Sequence, residues 1–131
     1  MIKNAVTTIL LADGTLTGIV GTNVFPALAP QTTSYPFITV VNNATTPLKL
    51  KGSASTNDLY SFEVNIFAET ENECQTIANR VRVLIDQYSG TSGGVVVQLI
   101  TFEDELDDSF VIDREIYARS QEYRARNIRS L

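Results

Sequence analysis

The sequence predicts a two-layer α+β domain: an antiparallel sheet of about four strands packed against one main helix, with a short N-terminal helix beside it. Three observations carry that prediction. Residues 59–68 alternate between apolar and polar with a period of two, as a strand with one buried face does. Residues 70–88 repeat apolar side chains at helical spacing behind a capping signal. The other apolar runs are short, β-prone and separated by turn residues, which favours antiparallel neighbours. At 131 residues the chain suits one domain spanning 1–131, because two independent cores would each be too small to stabilise themselves easily.

The elements follow in order. Ala5, Val6, Ile9 and Leu10 recur at helical spacing, and Asp13-Gly14 ends this first helix. Thr15 to Val20 adds a second helical turn, closed by Gly21. Val24-Phe25-Pro26 is a short extended piece, and Ala27 to Tyr35, with Pro30 and its hydroxyl residues, is a loop. Pro36 to Asn43 is strand-like: Phe37, Ile38, Val40 and Val41 are apolar and β-prone, and Pro36 fits at a strand's beginning. Residues 44–58 predict a long flexible loop, because Thr45, Thr46, Pro47, Gly52, Ser53 and their neighbours can bury little. Its two large apolar residues, Leu48 and Leu50, alternate with Lys49 and Lys51.

Leu59 to Ala68 is the clearest strand, with Tyr60, Phe62, Val64, Ile66 and Ala68 on one face and Ser61, Glu63 and Asn65 on the other. Thr70 and Glu73 have capping-box spacing, in which each side chain satisfies the other's free backbone N–H. Cys74, Ile77, Ala78, Val81, Leu84, Ile85 and Tyr88 then form one apolar stripe, and Gly90 is the expected stop. Gly93-Gly94 turns into Val95 to Phe102, which is apolar on both faces and so reads as a central strand or one covered at an interface. Glu103 to Asp108 reads as an acidic turn, Ser109 to Ile112 as a short strand and Ile116 to Ala125 as the final strand. The arginine-rich stretch 124–131 reads as a solvated tail.

Composition narrows the function classes. Hydrophobic residues make up 44% and charged residues 19%, a globular profile. A formal charge of -5 argues against a uniformly basic nucleic-acid surface. The chain has no histidine, which removes Ser-His and Cys-His nucleophile pairs and His-bearing zinc sites. A single cysteine makes neither an intrachain disulfide nor a thiolate cluster, and no phosphate-binding glycine motif is present. No apolar run approaches the roughly 18 residues of a membrane span. The opening residues lack a signal peptide's long apolar run and cleavage site, so folding in the cytosol is expected. The sequence therefore nominates no catalytic residue, metal ligand or cofactor, and a hydrolase is disfavoured.

Three features admit more than one reading. Cys74 is either a small buried hydrophobe on the helix stripe or a thiolate stabilised near a helix N-terminus. Glu103, Asp104, Glu105, Asp107 and Asp108 hold five of the fifteen acids, and form a solvated turn, an electrostatic docking patch or, least favoured, a divalent-cation or acid–base site. Arg114, Arg119, Arg124, Arg126 and Arg129 are half of the ten basic residues. They pair with that acidic stretch either inside one subunit or across a subunit contact.

The order of these pieces resembles the tail-completion, or tail-terminator, family of long-tailed bacteriophages. The resemblance runs through Leu11-Ala12-Asp13, Leu16 to Gly21, Val24-Phe25-Pro26, Ala29-Pro30-Gln31 and Tyr35-Pro36-Phe37-Ile38. It continues through Phe62 to Ala68, Thr70-Glu71, the helix with Ala78 and Val81, Gly93-Gly94-Val95 and Arg119-Ser120-Gln121-Glu122-Tyr123-Arg124. Gln121 is polar where an apolar residue is expected, and the acidic stretch is heavy. The resemblance implies a structural protein without catalytic residues or cofactor. It implies a ring of identical copies, usually a hexamer, at the head-proximal end of the tail tube. Its implied partners are the tail tube protein and the head-closure or connector protein, with DNA passing through the lumen and no membrane. Candidate assembly residues are Leu48, Lys49, Leu50, Lys51, Glu103, Asp104, Glu105, Asp107, Asp108, Arg119, Arg124 and Arg126. The alternatives are a connector adaptor, a tube subunit, or a cellular small-molecule-binding α+β domain.

Overall fold

The computed structural model describes residues 2–30, 33–47, 57–107, 110–111 and 115–128. The chain begins with helices α1 (Ile2–Leu11) and α2 (Gly14–Val20), then strands β1 (Val24–Pro26), β2 (Phe37–Pro47) and β3 (Asn57–Ala68). Helix α3 (Glu71–Ile85) follows, and β4 (Gly90–Ser92), β5 (Val95–Asp107), β6 (Phe110–Val111) and β7 (Glu115–Ile128) complete the fold.

The helices form where caps and stripes coincide. Asp13 Oδ2 accepts the Leu16 N–H at 2.9 Å and starts α2. Thr70 Oγ1 accepts the Glu73 N–H at 3.2 Å and starts α3. Glu71 and Glu73 in the first turn of α3 and Arg82 in its last complement the helix dipole. The helix buries Cys74, Ile77, Ala78, Val81 and Ile85. It stops before the expected Gly90: Asp86 is already extended, Gln87 takes φ 67, and Gly90 opens β4 instead.

The sheet overturns the expected two-layer architecture of four strands on one main helix. Six strands run in the order β1-β2-β3-β7-β5-β4, with β6 paired to β7 off that path, in one curled mixed sheet with three helices. β1 lies parallel to β2, and the other neighbours are antiparallel. The additions have physical causes. β1 and β4 each contribute three residues, too few to show a period. β5 runs on through Glu103–Asp107, so that stretch is strand and not a turn. β7 runs through Arg124 and Arg126, so they belong to a ladder and not to a free tail. The predicted loop is also shorter: Ala44–Pro47 pair with Asp58–Ser61. Leu48, Lys49, Leu50 and Lys51 lie outside the described residues.

The core lies between the sheet and the helices. Phe62 stacks on Tyr123 at a centroid distance of 5.4 Å, and Phe102 meets the same ring edge-on at 5.5 Å. Ile2, Leu10, Leu16, Ile38, Ile66, Ile77, Ile85 and Ile100 are fully buried around them. Burying side chains of this size supplies about 1.5–3 kcal/mol each relative to exposure.

Candidate assembly surface

Strand pairing sorts the central side chains of β3, β7 and β5 onto two faces. On the helix side the rows across the three strands are Tyr60–Ala125–Ile100, Phe62–Tyr123–Phe102, Val64–Gln121–Glu105 and Ile66–Arg119–Asp107. On the other side they are Leu59–Arg126–Leu99, Ser61–Arg124–Thr101, Glu63–Glu122–Asp104 and Asn65–Ser120–Leu106. This second face carries no helix among the described residues.

The predicted assembly residues therefore do not form one patch. Asp104, Arg124 and Arg126 lie on the uncovered face. Glu103 sits at the register shift between Phe102 and Asp104 and reaches Arg124 at 3.8 Å. Glu105, Asp107 and Arg119 lie on the helix side, where Arg119 pairs with Glu105 at 3.6 Å. Asp108 lies outside the described residues. Both arginine pairs form inside one chain.

The uncovered face is graded in charge. Glu63, Glu122 and Asp104 stand abreast in neighbouring strands, where side chains opposite one another are about 4.5–5.5 Å apart at Cβ. The Ser120 hydroxyl donates to Glu63 Oε2 at 2.7 Å and lies 2.8 Å from Asn65 Oδ1. Arg124 and Arg126 mark the opposite end, beside a groove of about 440 Å³ floored by Leu59, Leu99 and Thr101. Leu99 is 43% exposed and Leu106 63% exposed. Sequence reading placed Glu63 on the polar face of its strand but missed Glu122, Leu99 and Leu106 on the same face. The register shift between Phe102 and Asp104 moves Asp104 and Leu106 onto the face of Leu99 and Thr101, so a plain two-residue period could not have found them.

Cys74 falls on the inert side of its two readings. It is 1% exposed, and burial pushes its thiol up to about 11. Its sulfur lies 3.9 Å from Ile66 O. Among the described residues no three His, Cys, Asp or Glu side chains are grouped to hold a metal ion. What the surface offers is strand edges, exposed leucines and separated charges, which is the equipment of a structural protein that works through contact.

The family is bacteriophage tail completion. The chain belongs to the tail completion protein gp17 family, whose model matches residues 4–126, and it is a structural protein of the phage tail and virion. No curated protein matches the sequence. A chain from the virion of a native gene transfer agent particle has the same fold. It matches with TM-score 0.76 and 16% identity, over 95% of this chain and 92% of that one. A second solved structure matches at 14% identity over 79% of this chain and 78% of that one, with TM-score 0.46.

Proposed function

We propose that the protein forms a ring, a hexamer, at the head-proximal end of the tail tube, where it ends tube growth and joins the tail to the head connector. Membership of the tail completion family across residues 4–126 is the observation that carries this reading. The surface agrees with it. A conduit for DNA works best when it does not hold phosphates, and a net charge of -5 with Glu63, Glu122 and Asp104 abreast suits such a lining. The charged groups Glu103, Asp104, Arg124 and Arg126, with Leu48, Lys49, Leu50 and Lys51 between β2 and β3, are the proposed contacts to tube and connector.

Electron microscopy of tail assembly with and without the protein tests this. Tubes of uniform length ending in a ring are expected with it, and overlong tubes without it. Tubes of unchanged length, with the protein spread along the tube, would instead make it a tube subunit.

A further inference from the structure

Strand β5 has two irregularities, and they bracket one place on the uncovered face. Its register against β7 shifts between Val97 and Leu99, and again between Phe102 and Asp104. At the first shift Val97 and Ile100 stay buried while Gln98 and Leu99, neighbours in sequence, are both exposed. At the second, Glu103 and Asp104 are both exposed in the same way. A bulge bends its strand, re-aims a side chain and recurs beside functional sites. The groove of about 440 Å³ lies between the two bulges, and Gln98 and Glu103 both line it.

The charge in the groove comes from β7. Arg126 stands between Leu59 and Leu99 in one row, and Arg124 between Ser61 and Thr101 in the next. Among the described residues Arg124 has only the long 3.8 Å ion pair with Glu103, and Arg126 has none. In a chain of net charge -5, two arginines are thus left for a carboxylate from outside.

We propose that this groove is the docking site for an acidic segment of a partner protein, which sets a carboxylate on Arg126 and a large apolar side chain beside Leu99. This deepens the tube and connector contacts proposed above for Arg124 and Arg126, and rests on that reading.

Charge and polarity select this occupant. A guanidinium takes a carboxylate in a two-pronged, charge-assisted contact, and it gives up its water more readily than an ammonium does. The leucines on either side of Arg126 shield such a contact from solvent, and an apolar side chain laid there covers the exposed part of Leu99. Arg124 and Arg126 are two residues apart on β7, about 7 Å, which is the repeat of alternate side chains in an extended segment. A segment running along β7 therefore reaches both, and takes Arg124 from Glu103. A nucleic acid fits less well. Its phosphates make no use of the leucines, and Glu63, Glu122 and Asp104 in the following row repel a long polyanion. A short acidic segment ends before that row.

Photocrosslinking tests this with the full-length protein on isolated tail tubes and on purified connectors. The photoreactive residue p-benzoylphenylalanine replaces Gln98 at the groove or, as a control, Leu106, which is exposed on the same face beyond the acidic row. Peptide mass spectrometry is expected to place the Gln98 crosslink, but not the Leu106 one, in a partner segment with Asp or Glu next to a large apolar residue. Whether tube or connector crosslinks names the partner. Arg126→Glu and Leu99→Asp should each weaken attachment about tenfold with an unchanged circular dichroism spectrum, whereas Leu106→Asp should not. Changing the crosslinked partner acid to Arg should restore attachment of the Arg126→Glu variant. A Gln98 crosslink to a second copy of this chain, to DNA when filled particles are irradiated, or to a segment without acids overturns the docking site and leaves the ring reading standing. So does attachment with no crosslink, or equal losses from Leu99→Asp and Leu106→Asp. Failure of the parent protein to attach to either tubes or connectors overturns both.

Discussion

Gln121 is a fully buried polar residue in the middle of β7, and its side chain explains why it is tolerated. Its Nε2 donates to Ala78 O at 2.9 Å and to Glu105 Oε1 at 2.8 Å, and its Oε1 accepts the Tyr123 hydroxyl at 2.8 Å. One amide thus ties α3, β5 and β7 together, and the tyrosine it holds has its hydroxyl pushed well above the usual range by burial. Gln121→Leu keeps the bulk but strands those partners, so a loss of about 1–3 kcal/mol is expected, read from the urea midpoint. An unchanged midpoint would show that the network contributes nothing. Asp13 is the second informative residue. Arg80 holds its carboxylate with Nε at 2.9 Å and Nη2 at 2.6 Å, while the same carboxylate caps α2. The Arg80 hydrogen bond is the largest cause holding Asp13 below its ordinary 3.8. A carboxyl lowered on folding stabilises the fold above its unfolded pKa, and that contribution is lost as pH falls through the folded value. Asp13→Asn keeps the capping oxygen but not the charge. The melting temperature of the parent should exceed that of the variant at neutral pH, and the gap should close on acidification below about 3.8. A constant gap would assign the effect to packing.

At the scale of elements, the turn between β4 and β5 is the most demanding. Gly93 has φ 57, and a Cβ there would lie 3.1 Å from Thr8 Oγ1 and 3.3 Å from Asn4 O on α1. Gly94 also has positive φ, 77, but open space around it. Gly93→Ala should therefore cost more than Gly94→Ala, about 1–3 kcal/mol against about 1–2 kcal/mol, measured by chemical denaturation of both variants. Equal costs would mean that α1 gives way freely. The same element shows what could be read in advance. The Gly93-Gly94 turn, the Thr70 cap and the two-residue period of β3 are local signals, and local rules predict them. β1 is not local: it exists because Ile38 to Val40 supply partners well beyond its own turn, whereas β4 is the short arm of a hairpin whose three residues are too few to show a period. The acidic half of β5 was hidden for another reason. Glu103–Asp107 are all exposed, so no apolar alternation marks the strand, and only pairing with β7 reveals that its acids divide between two faces.

For the whole molecule, the proposed charged contacts to tube and connector should respond to salt. Docking through Arg124 and Arg126 uses exposed charges, whose reach falls from about 10 Å at 0.1 M salt to about 3 Å at 1 M. Within one subunit, Arg124 and Glu103 are 63% and 42% exposed and 3.8 Å apart, so that pair contributes about 0–1 kcal/mol. Arg124→Glu combined with Arg126→Glu should therefore leave the melting temperature nearly unchanged. The ring mass should also stay the same at both salt concentrations, while attachment to isolated tail tubes falls at the lower one. Native mass spectrometry and tube pull-down read the two effects separately. A ring that dissociates in the double variant would move the charged face from partner docking into the contact between copies.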